Sequence, residues 1–274
     1  MARLPRLYAP RIPQLVQARL ARPLALPGEP APATSLDRIQ GWLAEAVQDT
    51  APLSMHAWAI LPDAITLLAT PGTEQILSRV MQALGRRLGS GMLRARVYSG
   101  RYHNALLEPG RWVLPAMLWV ETLAVANGHV GQATQWPWSS AAEHSGLAGS
   151  FGPGGGSGLA SGSVPDGSPS PNSPILTDHA DYWQIGDTPF ARQATWRLRL
   201  AGGIGQAQRT QIEAALHGQW ALGEKIFLAH LGRLASRRVT PAPRGRPRKD
   251  NQSTEESRTR RAPEYGTSRG RPER

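Results

Sequence analysis

Apolar and polar positions follow two rhythms over the first 144 residues. A short apolar run at 14–20 predicts a first strand. Thr34 or Ser35 is placed to cap a helix with apolar positions Leu36, Ile39, Leu43, Ala46 and Val47. Residues 53–61 read as a strand with Met55, Ala57, Ala59 and Leu61 on one face. Pro62-Asp63 signals a turn and 64–69 is a second apolar strand, so the two predict a hairpin. Thr73 is placed to cap the next helix. Its stripe of Ile76, Leu77, Val80, Met81, Leu84 and Leu88 has helical spacing, with Arg79, Arg86 and Arg87 off it. A short strand at 105–107 and a helix near 115–125 follow.

The order β-α-β-β-α-β predicts an α+β, ferredoxin-like sandwich, an antiparallel sheet with helices on one face. Between 145 and 174, 22 of 30 residues are Gly, Ser or Pro, the composition of a flexible linker. This predicts a domain at 1–144, a linker at 145–174 and a small helical module at 175–236. The module's helices are expected near 188–201, 207–217 and 222–236, with Trp196 and Trp220 as core anchors.

Charge adds a further division. The chain has 274 residues and a formal net charge of +11. Residues 237–274 hold 12 Lys/Arg against 5 Asp/Glu and almost no large apolar residue, so they read as a disordered basic tail. Arg3, Arg6, Arg11, Arg19 and Arg22 precede the first acidic residue, Glu29, whereas 112–191 contain no Lys or Arg. Nucleic-acid contacts are therefore expected from the two flanking regions. Only Lys225 and Lys249 are lysines; arginine suits bidentate phosphate contact, although such a bias also follows from genomic GC content. With no cysteine there is no disulfide, thiolate metal site or cysteine nucleophile. No apolar run reaches the roughly 18 residues a membrane helix needs.

Several segments together resemble the REP-associated tyrosine transposases, single-strand DNA transposases with one catalytic tyrosine. They are the opening Met1-Ala2-Arg3-Leu4-Pro5-Arg6, the stretch 56–63 reading HAWAILPD, and Gly100-Arg101-Tyr102 leading into Ala105-Leu106-Leu107-Glu108. Trp136-Pro137-Trp138-Ser139-Ser140, Thr188-Pro189-Phe190 and the basic run 244–249 complete the set. The resemblance implies DNA as partner, in the form of single-stranded hairpins. It also implies a metal-binding His-hydrophobic-His pair, Mg²⁺ or Mn²⁺, and a helix-borne tyrosine that attacks the scissile phosphate.

The chain departs from that pattern at the reacting groups. After Leu61-Pro62 it has Asp63, Ala64, Ile65 and Thr66, so both histidines are missing. No tyrosine lies between Thr73 and Val97, and the best alignment puts Leu88 at the nucleophile position. No catalytic residue, metal ligand or cofactor is therefore assigned, and cleavage by the family mechanism is not expected. The alternatives are an active transposase with a displaced nucleophile at Tyr98 or Tyr102, and a decayed relative with no selected activity.

The residues assigned to DNA contact are Arg86, Arg87, Arg101 and Tyr102 in the folded part, with Arg244, Arg246, Arg248, Lys249, Arg269 and Arg271 in the tail. Tyr102 could stack on a base or belong to the core. The two Arg-Gly-Arg-Pro runs have the shape of an AT-hook core for the minor groove, or else attract phosphate without sequence preference. His56 is expected to be a packed histidine, His103 to face solvent, and the Trp-Pro-Trp box to serve packing. No membrane association is expected. The location suggested is a bacterial cytoplasm beside the nucleoid, and a homodimer is left open.

Overall fold

The computed structural model describes residues 5–93, 96–148, 176–235 and 237–241. Five strands, β1 (Gln14–Arg19), β2 (Leu53–Ile60), β3 (Ala64–Pro71), β4 (His103–Leu107) and β5 (Ala221–Leu222), form one sheet in the order β2-β3-β1-β4-β5. Each neighbouring pair among the first four is antiparallel, and β5 runs parallel to β4 with Leu106 beside Ala221. With α1 (Ala33–Gln48) and α2 (Ile76–Leu88) between them, the four strands make the ferredoxin-like α+β unit expected from the sequence.

The helices form where the apolar stripes predict. The buried residues of α1 are Leu36, Ile39, Leu43, Ala46 and Val47, and those of α2 are Ile76, Leu77, Val80, Met81, Leu84 and Leu88. Each Leu, Ile, Val or Met side chain among them contributes about 1.5–3 kcal/mol on full burial. The expected caps are not used. Pro32 takes the cap position of α1 and its carbonyl accepts from Ser35 and Leu36, while α2 starts at Ile76 after a turn closed onto Thr73. Backbone carbonyls receive these amides, so neither Thr34, Ser35 nor Thr73 is needed as acceptor.

Pro62-Asp63 closes a two-residue hairpin, with Leu61 and Ala64 exchanging backbone hydrogen bonds at 2.8 and 3.3 Å. One face assignment changes. The register moves from Met55↔Ala69 to Ala57↔Leu68, a bulge at His56. Met55 and Ala57 therefore point to opposite sides of the sheet rather than to one.

Successive positions of β2 and β3 are buried, so both sides of the sheet are covered. The second layer contains α3 (Val113–Glu121), α4 (Leu123–Ala126), α5 (Ala141–His144), α6 (Ala180–Trp183), α7 (Pro189–Gly202) and α8 (Gln206–Gly218); α9 (Lys225–Leu234) follows β5. α3 packs on β2 and β3, and α8 packs on β4 and β1. One compact unit spans Met1–Pro241. The helices from α6 to α9 lie in the same compact unit as the strands. The reason is a shared core, in which Trp196, Ile212 and Leu216 join the sheet residues. Trp196 is fully buried, as an anchor should be, but Trp220 is only half-buried, with the Arg237 guanidinium above its ring. The tail from Ala242 onward lies outside the described residues. Among those residues no helix is long and apolar enough to cross a membrane.

Candidate nucleic-acid interface

A cleft of about 790 Å³ opens between the outer edge of α2 and the segment that leads into β4. The segment is held against the end of β1. Ala21 donates to Val97 at 2.8 Å, Ser99 donates to Arg19 at 3.0 Å, and Tyr98 bridges to Leu20. Tyr98 then packs against α2 at Gly85. Gly85 permits this, since a Cβ there would stand 2.9 Å from Tyr98 Cε2. The Tyr98 hydroxyl donates to the Met81 carbonyl at 3.1 Å, and burial pushes its phenol well above the ordinary range.

Tyr102 closes the cleft floor and is 8% exposed. Its hydroxyl lies 2.9 Å from Ser78 Oγ, and the Arg6 guanidinium covers its ring at 3.6 Å. Tyr102 is thus a tethered residue at the core's edge, with one ring face already occupied by a cation.

The cleft contains four arginines, Arg6, Arg86, Arg96 and Arg101, and no Asp or Glu among its lining residues. Arg96 is fixed by two backbone carbonyls, Nε to Tyr98 at 3.0 Å and Nη2 to Ser99 at 2.8 Å. Of the residues read from the sequence, Arg86, Arg101 and Tyr102 come together here. Arg87 does not line the cleft; it turns to α1 and pairs with Glu45. Arg244, Arg246, Arg248, Lys249, Arg269 and Arg271 lie outside the described residues.

Arg6, Ser78 and Arg96 were not singled out by sequence reasoning. Arg6 belongs to the opening motif, which was the available signal. Arg96 and Ser78 carried none, because their roles depend on a turn and on a helix face that only the fold brings together.

The positions at which the sequence resemblance would expect metal ligands and a nucleophile carry other side chains. Ala64 stands opposite Arg19 on β1 and Thr66 opposite Gln17. Thr66 is buried, and its hydroxyl accepts from Gln17 Nε2 at 3.2 Å. Asp63 lies 3.8 Å from Arg19, and Leu88 is buried at the end of α2. Among the described residues no group of three or more His, Asp or Glu is placed to hold a metal ion.

His103 is half-buried rather than facing solvent, with the His217 ring 5.8 Å away. Burial, then the neighbouring His217 and Arg19, lowers its pKa. His56 is buried, as expected. Its Nδ1 donates to the Thr177 carbonyl at 2.7 Å and its Nε2 accepts from the Thr70 hydroxyl at 2.8 Å. Burial pulls its pKa down to about 4. The Trp-Pro-Trp box packs, and Trp136 and Trp138 donate to the Ile60 carbonyl at 3.0 Å and to Asp37 at 2.8 Å.

A second charged cluster went unread in the sequence. Glu121 of α3 is fully buried and accepts from Ser140 Oγ at 2.6 Å, His144 Nδ1 at 2.5 Å and Trp196 Nε1 at 2.7 Å. Burial disfavours the His144 imidazolium, but the charge and hydrogen bond of Glu121, helped by Asp178 and Glu143, raise its pKa overall. The cluster ties α3, the end of the box and α7 together.

No protein-family model matches the chain, and no curated protein matches it either. Among solved structures, it is similar to a REP-associated tyrosine transposase bound to a REP hairpin. The identity is 16%, with 65% of this chain and 100% of that chain covered, at a TM-score of 0.44.

Proposed function

We propose that this chain is a transposase-like DNA-binding protein that holds single-stranded hairpin DNA in the arginine cleft and does not cleave it by the family mechanism. The observation that carries the reading is the set Arg6, Arg86, Arg96 and Arg101 in one cleft whose lining has no carboxylate. Such a surface attracts a phosphate backbone, and half-burial of part of it limits screening by salt. The preference for hairpins comes from the family motifs in the sequence, of which Gly100-Arg101-Tyr102 forms the cleft's floor and rim.

Ala64 and Thr66 provide no imidazole to hold a metal ion for cleavage. Tyr98 and Tyr102 support no rescue either, since hydrogen bonds hold both hydroxyls. The tail arginines would add phosphate contacts and avidity without selecting the hairpin.

The test is a gel shift at roughly physiological salt, comparing a labelled hairpin with a scrambled strand of equal length. Selective retention of the hairpin, weakened about tenfold in Arg86→Ala/Arg96→Ala, is expected. Equal, salt-sensitive binding of both strands, or binding that ignores the double substitution, would overturn the proposal and favour a decayed relative.

A further inference from the structure

Arg6 is placed unusually for a cation that serves only the fold. Its guanidinium is half-buried and sits over the Tyr102 ring, with Cζ 3.6 Å from the ring centre. It makes no ion pair among the described residues. Glu74, the acidic residue of a smaller recess that Arg6 also lines, is not within ion-pair distance. Its one hydrogen bond there is a long one, Nη1 to Ser78 Oγ at 3.4 Å, and the buried Nε has no partner. Burial and the like charge of Arg101 pull its pKa below the ordinary arginine value, with Tyr102 partly opposing. A guanidinium carries its five N–H groups in one rigid plane, and Nη1 reaches toward the edge of the ring, where Ser78 lies. At that edge sit the paired hydroxyls of Ser78 and Tyr102, 2.9 Å apart, where one of the two can turn its proton outward. Arg6, Ser78, Arg101 and Tyr102 line both the main cleft and the smaller recess, so the feature stands on the wall between them.

We propose that Arg6, Ser78 and Tyr102 form a subsite for a single phosphodiester of the bound strand. The guanidinium edge donates two hydrogen bonds to its non-bridging oxygens and a hydroxyl donates a third. This rests on the cleft being a nucleic-acid interface and adds to it a fixed point of register. The other cleft arginines attract the backbone generally, whereas this site selects one phosphate by position. An unpaired, half-buried cation is disfavoured in the empty protein and is compensated when a phosphate oxygen replaces lost water.

The test uses the full chain and hairpins carrying one methylphosphonate, which removes the charge at a single linkage, walked along the strand. In the unsubstituted protein one position should weaken binding about tenfold. Arg6→Gln should bind the unmodified hairpin about tenfold less tightly and be indifferent to that same position. Arg6→Lys should remain weak, because a point-charge ammonium cannot present a planar fork. The melting temperature of Arg6→Gln separates roles: a cation serving the fold would lower it, whereas this subsite leaves it unchanged or raised. If Arg6→Gln binds like wild type while Arg86→Ala/Arg96→Ala binds weakly, the subsite fails and the cleft reading stands. If neither variant weakens binding, the cleft reading itself fails.

Discussion

Glu121 and Arg6 show two ways of burying a charge. Glu121 is enclosed by donors from three parts of the chain, Ser140, His144 and Trp196. Arg6 is half-buried against an aromatic ring, with another arginine nearby and one long hydrogen bond. Desolvation acts against both groups. At Glu121 the fold itself supplies the compensation, so the cluster belongs to stability. At Arg6 the compensation is incomplete within the fold, and the proposed phosphodiester would complete it. The contrast separates residues that hold the molecule together from residues that act on something else, and it can be broken by substitution.

The largest expected effect is at the satisfied site. Glu121→Ala removes the common acceptor of three buried donors, leaving His144 Nδ1 and Trp196 Nε1 without theirs. Breaking a buried pair from one side costs about 3–5 kcal/mol, read as a lower denaturant midpoint. Glu121→Gln keeps the shape and one acceptor oxygen and should cost less. A loss below about 1 kcal/mol for the alanine variant would mean that the cluster is not the clamp its geometry indicates.

Next comes a pH effect with opposite signs at two histidines. His56 has a folded pKa of about 4 against 6.5 unfolded, so the fold prefers its neutral form. That contribution is fully present above pH 6.5 and is lost as pH falls toward 4, about 3 kcal/mol in all. His144 has a raised folded pKa. Its contribution is fully present below the unfolded value near 6.5 and fades as pH rises through the folded one. The stability curve should therefore have an acid limb assigned to His56, and His56→Gln should flatten that limb between pH 6.5 and 4. An unchanged limb in this variant would place the acid sensitivity elsewhere.

The sequence made the local features legible and left the long-range ones hidden. The apolar sets of α1 and α2, the two-residue hairpin at Pro62-Asp63 and the helices around Trp196 follow from periodicity, which a single segment carries. The bulge at His56 depends on the partner strand. β5 depends on meeting β4 in parallel, and a two-residue strand has no pattern of its own. Glu121 ends the otherwise apolar α3, and its partner Trp196 is 75 positions away, so no local pattern announces the pair. Arg6 and Ser78 are 72 positions apart, and only folding makes them a site. Arg86 and Arg87 were equivalent in sequence, both off the apolar stripe, and helix geometry sends them to different neighbours.

Gly85→Ala probes the cleft wall with an intermediate effect. The new methyl would meet Tyr98 Cε2 at 2.9 Å, and the ring cannot retreat easily because its hydroxyl is bonded to Met81. Overpacking of this kind costs about 1–3 kcal/mol, against a gain of up to about 1 kcal/mol in helix propensity. A net destabilisation should appear in thermal melts together with weaker hairpin binding, since Tyr98 anchors the segment bearing Arg101. A more stable variant would show that the wall is soft.

The smallest effect gives the sharpest contrast, because it compares adjacent residues. Arg87 pairs with Glu45 on the surface, and pairs of this kind are worth about 0.2–1 kcal/mol. Arg87→Ala should therefore lower stability by a few tenths of a kcal/mol and leave DNA binding at moderate salt unchanged. Arg86 is exposed on the cleft side. Arg86→Ala should change stability by less than about 0.5 kcal/mol while reducing the slope of log affinity against log salt by about 0.7, one phosphate contact on a single strand. Both variants can be read in the same salt titration and the same melt. Equal slopes for the two would mean that the cleft does not discriminate between neighbouring cations, and that the charge of the whole chain, rather than this surface, holds the DNA.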